Sequence, residues 1–472
     1  MNGSHALHWL QHETGGLLVL SGVGIAALLL LIIRYKVEPF IALLIAGLLV
    51  ALGAGLSVEQ IVGSAQKTSG SLIESGFGGI LGHVALIIGL GTLLGGILET
   101  SGGAEVLTQK LLRTFGPERA PIAMGLSGLI FGIPVFFDIG IFVLAPLVYV
   151  AARKGGRSIV LYAMPLLAGL SITHAFLPPH PGPVAVAGLL HVELGWLIVM
   201  GLACGLPAWA VAGIVYSSWI GKRIDLPVPE EMLANAKARA EEKNGTTLEP
   251  PSLALVALII GIPLALILCG TFGSVLLAKG GTTYGVVTFL GTPAVALTVA
   301  VLTASWLLGF RRGMSHDDLS KLASTSLRPV GMLLLVVGGG GFFGAVLSAT
   351  GVGKALASTL MSAGLPVIAL VYVISCAMRI AQGSATVAIV TTGGIIAPLL
   401  PDLHYSQPRL ALIAMSIASG SIIASHVNDG GFWIISRYFG IPVKETLATW
   451  TVVETILSVV GFLMAVLLSL FV

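Results

Sequence analysis

The sequence predicts an all-α polytopic membrane protein built from two inverted repeats, each with a re-entrant helical hairpin and a broken transmembrane helix. Three observations predict it. Of 472 residues, 56% are hydrophobic and only 10% charged, with a mean hydropathy of +1.00; a soluble domain carries roughly 25% charged residues. Lysine and arginine gather in short connections, where they mark the cytoplasmic side of a membrane. Finally, "GGILETSGGAEVLTQKL" (95–111) aligns faintly with "GAVLSATGVGKALASTL" (344–360).

The opening "MNGSHALHWLQHETGG" has no basic region before its first apolar run, so it is expected to keep its first helix; residues 1–15 read as an N-terminal extension. A spanning helix needs about 20 apolar residues. Such stretches lie at 16–33, 38–55, 80–98, 158–176, 195–217, 252–270, 286–309, 330–349, 409–425 and 446–470. The polar segment 221–251 separates a first half, 16–220, from a second, 252–472, and reads as a cytoplasmic loop.

With the first helix running inward, every basic cluster falls inside: Arg34 and Lys36, Lys110 to Arg119, Arg153 to Arg157, Lys222 and Arg223, Arg311 to Arg328, and Arg437 with Lys444. Segment 121–150 has basic clusters on both flanks, so it must enter and leave on one side, as a hairpin with its tip near Gly132 to Asp138. A single helix of that length would measure about 45 Å against a core of about 30 Å; a steeply tilted helix kinked at Pro134 is the alternative. The counterpart hairpin is 364–400. Because span 80–98 runs inward and span 330–349 outward, the repeats are inverted and the second hairpin enters from outside.

Broken helices are expected at about 158–185 and 409–437. In "SITHAFLPPHPGP" (171–183) prolines remove N–H groups and stop the helix. The freed backbone groups would cost several kcal/mol each against lipid, so they should face a polar cavity; a loop on the outer surface is the alternative. "SIIASHVNDGG" (421–431) is the second break. Inverted repeats whose broken helices meet at the midplane are a secondary-transporter plan.

Ionisable residues inside apolar segments are costly and by default functional. Asp138, at the first hairpin tip, is the candidate for proton coupling, since a carboxyl in an apolar setting can exchange a proton near neutral pH; capping a helix is its alternative role. Arg379, in "RIAQGSATVA" (379–388), can grip a carboxylate with two N–H groups, or pair with a protein acid. Gly383, Ser384 and Thr386 offer hydroxyls and approachable backbone, though small residues also serve helix packing. Thr173, His174 and His180 at the first break, and Ser425, His426, Asn428 and Asp429 at the second, complete the candidate substrate site. Glu74 and Glu99 read as interfacial, and Glu454 as a packing partner.

Other patterns point away from other chemistry. "GLGTLLGG" (89–96) and "GGGG" (338–341) lack a nucleotide loop's spacing and fit close helix packing. There is no Walker motif, no histidine–cysteine cluster with metal spacing, and no nucleophile–base pair, so no metal, cofactor or enzymatic activity is expected. His5, His8 and His12 lie outside the membrane. Cys204, Cys269 and Cys376 read as buried free thiols. The net charge of +3 says little about partners, and no nucleic-acid partner is expected.

"SITHAFLPPHPGP", "RIAQGSATVA" with "TTGGIIAPL" (391–399), "SHVNDGGFW" (425–433) and the preceding "GGGG" together resemble the gluconate permease family of bacterial inner-membrane symporters, from about residue 17 to the end. The resemblance implies proton-coupled uptake of D-gluconate or a close sugar acid by secondary active transport. It also implies a dimer in the bilayer with an elevator-like moving domain that holds both hairpins and both broken helices. The family usually has an acid at the position of Asp138. Uptake of D-serine or another small hydroxy acid is the alternative, as is sodium coupling through unwound carbonyls with Asn428 and Ser384.

Overall fold

The structure, a computed structural model, describes residues 3–64, 70–230, 250–352, 355, 366–427 and 429–472, and among these the regular structure is helical. Helices α1 (Gly3–His12), α2 (Thr14–Ile33) and α3 (Pro39–Gly53) open the chain, and α4 (Val58–Val62) starts from a Ser57–Gln60 capping box. A π-helical turn, Ile73–Gly78, leads into α5 (Gly79–Thr100), which is followed by α6 (Gly103–Phe115).

Segment 121–150 is interrupted where the sequence expects it. Helix α7 (Ala120–Gly132) stops before Pro134, which has no N–H to continue the ladder, and α8 (Phe137–Gly155) starts afresh. Helix α9 (Ile159–Phe176) ends ahead of the Leu177–His180 break, and α10 (Pro181–Leu190) begins with proline in the first turn, where its missing N–H costs nothing. Helix α11 (Leu194–Trp209) runs through a π-helical turn into α12 (Ser217–Ile220).

The second half comprises α13 (Leu253–Leu276), α14 (Thr282–Gly291), α15 (Pro293–Ala304), α16 (His316–Leu327) and α17 (Val330–Ala349). Then come α18 (Val367–Gln382), α19 (Ala385–Ile396), α20 (Gln407–Ser421), α21 (Gly430–Tyr438), α22 (Val443–Thr446) and α23 (Val452–Leu468). The last two are joined by a π-helical turn, Leu447–Thr451. The α18–α19 break is at Gly383, whose φ of +84° suits glycine.

Among the described residues, eight helical stretches are long and apolar enough to cross a membrane. Two expected spans are shorter than expected: 38–55 and 409–425 form the 15-residue α3 and α20. Span 286–309 is divided at Thr292, because Pro293 starts a new helix and Gly291 meets Gly270 so closely that a Cβ there would lie 2.3 Å from its Cα.

Burial sorts the helices. Nearly every residue of the α9–α10 stretch is buried within the protein, against a minority along α13, so the first broken helix lies at the centre. Leu30, Val215, Leu276 and Leu302 are exposed on outer helices, the surface that lipid would cover. Lipid offers no hydrophobic drive between helices, so close approach must come from small residues. Helices α7 and α9 illustrate this: a Cβ on Gly128 would lie 2.2 Å from the Leu166 carbonyl, and one on Gly169 2.6 Å from the Gly125 carbonyl. The "GGGG" run packs likewise, with Gly340 against Val390 and Gly341 against Ile80.

The packing partners recur between halves. Helix α7 lies on α9 as α18 lies on α20; α8 and α19 touch the same two helices in turn, and α11 lies on α9 as α23 lies on α20. Across the halves, α10 packs on α19 and α21 on α8.

Candidate functional site

These breaks converge. The amino-terminal ends of α8, α19 and α21, the carboxyl-terminal end of α18, one face of α9 and the start of the last helix surround a cavity of about 600 Å³. Each helix start places the positive end of its dipole at this space, with one N–H of α19 taken by the Ser384 hydroxyl and one of α21 by Asp429. Three such ends around one cavity favour an anion there.

Arg379 lies one turn before the end of α18 and is 5% exposed. Its Nη1 donates to the Gly383 carbonyl and its Nη2 to Asp429 Oδ2, at 2.5 Å in the latter case. Asp429 caps α21: its Oδ1 accepts from the Gly431 N–H at 2.9 Å, and its Oδ2 also accepts from the Ser425 hydroxyl. The Trp450 Nε1–H donates to Ser425 Oγ at 2.8 Å, and the Trp450 indole stacks on Phe137 with ring centres 5.6 Å apart. The start of α8, the second helix break, α18 and the last helix are therefore held in one chain of contacts around the guanidinium.

On the opposite wall, Ser171 and His174 sit three residues apart on one face of α9 and both line the cavity. The His174 ring lies 4.9 Å from the His180 ring, and its Nδ1 has no partner among the described residues. His180 Nε2 donates to the Gly132 carbonyl at 2.6 Å, tying the first helix break to the end of α7. Asp138, in the first turn of α8, is exposed in the cavity.

Of the residues expected from sequence, Asp138, His174, Arg379, Gly383, Ser384, Thr386 and Asp429 line the cavity. Thr173 is turned away, its hydroxyl donating to the Gly169 and Leu170 carbonyls at 3.0 Å each. His180 and Ser425 stand one layer behind, and His426 is not part of the lining. Asn428 lies outside the described residues.

Sequence reading missed Ser171, Trp450 and Glu454. Glu454 lines the cavity at 2% exposure. Its signal was the one applied to Asp138, a lone acid within an apolar helix.

Among the described residues, no group of three or more histidine, cysteine, aspartate or glutamate side chains is placed to hold a metal ion. Cys204 is buried and Cys269 exposed on an outer helix, so the expectation of buried thiols holds for the first and not for the second.

The chain matches the family described as "GntP family permease" over residues 17–471. It is 42% identical over 452 residues to the inner membrane permease YgbN of Escherichia coli, covering 95% of this chain and 97% of that one. To a gluconate permease of Pseudomonas aeruginosa it is 39% identical over 448 residues, covering 95% and 96%. Among solved structures, Neisseria gonorrhoeae MtrF, described as illuminating a class of antimetabolite efflux pumps, shares the fold with a TM-score of 0.61. Sequence identity is 17%, and the match spans 98% of this chain and 96% of MtrF. A helical fold that crosses the bilayer many times, a polar cavity at broken helix ends and a family match along nearly all of the chain lead to one assignment: the protein belongs to the GntP family of permeases and is a membrane transporter, not an enzyme.

Proposed function

We propose that the protein is a secondary active symporter that carries D-gluconate, or a closely related sugar acid, together with protons across the bacterial inner membrane. The carrying observation is the charge of the cavity wall. Among its described residues, Arg379 is the one side chain of fixed positive charge, against the carboxyls of Asp138, Asp429 and Glu454. A sugar acid adds a further negative charge. Its entry is opposed unless a proton enters with it, which is the requirement of symport.

The substrate carboxylate takes the Arg379 guanidinium in a two-pronged grip and shares or displaces the Asp429 contact, with the helix starts at Ser384 and Gly430 adding their dipoles. The hydroxyls meet Ser171, Thr386 and His174 along the walls. The cavity volume falls in the range usual for small ligands, about 300–1,000 Å³. Names of relatives support the substrate class, the Pseudomonas gluconate permease among them.

The mouth of the cavity includes exposed Pro329, beside the basic Arg328, so on the loop-charge orientation this conformation opens to the cytoplasm. The recurrence of packing partners between halves supports two inverted repeats, each with a hairpin (α7–α8 and α18–α19) and a broken helix (α9–α10 and α20–α21). Alternating access would then move these eight helices as a body against α2, α3 and α13–α15, in an elevator-like step within a homodimer.

The test is uptake of labelled gluconate into proteoliposomes under an imposed inward proton gradient, with and without sodium. Accumulation that follows the proton gradient and ignores sodium supports the reading. Accumulation that needs sodium transfers the coupling to that ion, and preference for D-serine over gluconate overturns the substrate.

A further inference from the structure

The three cavity carboxyls differ in what surrounds them. Asp429 accepts from the Arg379 guanidinium, the Ser425 hydroxyl and the Gly431 N–H, so both its oxygens have donors. Asp138 is exposed in the cavity within the first turn of α8, where solvent can reach its carboxyl. Glu454 has neither: Arg379 directs its hydrogen bonds to Gly383 and Asp429, and α23 continues without a break from the π-helical turn before it, so no free helix end faces Glu454. It is 2% exposed, its Oε1 has no hydrogen-bond partner among the described residues, and Ser171 of α9 lies beside its carboxyl. A buried carboxylate oxygen without a donor is costly, whereas a protonated carboxyl in the same place is an ordinary neutral group.

The surroundings of α23 supply no closer cation. From α9 come Ser171 and His174; from α18 comes Arg379, engaged with Asp429; from the break before α21 comes Asp429 itself. One turn further along, Tyr372 of α18 shares a hydrogen bond with Ser458 at 3.0 Å, and two turns back Tyr216 donates to the Ala448 carbonyl at 2.7 Å. Cys204 of α11 is buried in the same region of the fold, and Cys376 of α18 is partly buried beside Tyr372. None of these is a free positive charge.

We propose that Glu454, on the last helix, binds the coupled proton, while Asp138 shapes the entrance to the cavity. The role presupposes the symport reading above. With Glu454 neutral, the substrate anion meets one opposing charge fewer on the cavity wall. Ser171 then bridges the two events: its hydroxyl reaches Glu454, and three residues along the same α9 face His174 lines the substrate space.

The experiment compares two modes in proteoliposomes holding the full-length protein: accumulation of labelled gluconate driven by a proton gradient, and gluconate-for-gluconate exchange without one. Glu454→Gln is expected to lose accumulation while exchange survives. Asp138→Asn is expected to slow both modes together, with the accumulation that remains still set by the gradient. Glu454→Asp keeps a carboxyl and is expected to accumulate gluconate with a displaced pH midpoint, so it serves if Glu454→Gln fails to assemble.

Accumulation by Glu454→Gln equal to wild type, an unmoved midpoint in Glu454→Asp, or selective loss of accumulation in Asp138→Asn would each overturn the assignment and leave the symport reading standing. Failure of the wild type to accumulate gluconate under a proton gradient overturns the symport reading itself, and this role with it.

Discussion

Arg379 and Asp429 show how a single pair organises the site. Both are largely buried, with side chains 6% and 13% exposed, and removing one partner strands the other in a low-dielectric interior. Arg379→Gln is therefore expected to abolish gluconate transport and to cost about 3–5 kcal/mol of stability, read as a lowered unfolding temperature in detergent. Adding Asp429→Asn should restore much of the stability without restoring transport, because the neutral pair no longer needs a counter-charge but cannot grip a carboxylate. His180 acts on the backbone instead. His180→Ala leaves the Gly132 carbonyl without its donor, a loss of about 1–3 kcal/mol, seen as faster hydrogen exchange at the α7–α8 break.

At the scale of elements, packing in the centre is set by backbone approach. Gly128→Ala would drive a methyl group into the Leu166 carbonyl, where the built Cβ stands 2.2 Å away, and is expected to destabilise by about 1–3 kcal/mol. Unfolding temperature and yield of folded protein in detergent measure it. Outside the bilayer, the Ser315–Asp318 capping box starts α16, and the Ser315 hydroxyl and N–H hold the Asp318 carboxyl below its ordinary value of 3.8. A carboxyl so lowered contributes stability that is present above pH 3.8 and lost as pH falls through its folded value. Protection of the α16 amides, taken relative to their intrinsic exchange rate at each pH, should thus be constant near neutrality and fall only in acid, with Ser315→Ala lowering it throughout.

For the whole molecule, the prediction turns on the proposed cytoplasmic mouth of the cavity. Met332, at 49% exposure on the α17 start, lines that mouth. In a background lacking the three native cysteines, Met332→Cys is expected to react with a membrane-impermeant maleimide applied from the cytoplasmic side, and more slowly with gluconate present. Labelling from the opposite side alone would reverse the orientation.

How much of this was legible in the sequence follows from the physics of a lipid solvent. A polar or proline-rich stretch inside an apolar run has few acceptable explanations, so the breaks near Pro134, Pro178 and Gly383, and the cavity positions of Arg379, Asp138 and Asp429, could be read one residue at a time. The neighbours Thr173 and His174 could not be separated in this way. Successive helix residues point about 100° apart, and only packing against α7 turned Thr173 toward the Gly132 backbone while His174 kept the cavity. The place of Glu454 on the cavity wall was hidden for a related reason: whether a lone acid in a spanning helix meets a partner or an open wall depends on which helices lie beside it. The sequence by itself determined the solvent, the helical class and the places where helices must break, because lipid leaves the backbone no other way to satisfy its hydrogen bonds. Only the tertiary structure decided which side chains share a wall and which acid keeps a buried oxygen without a donor, because those depend on distances between helices remote along the chain.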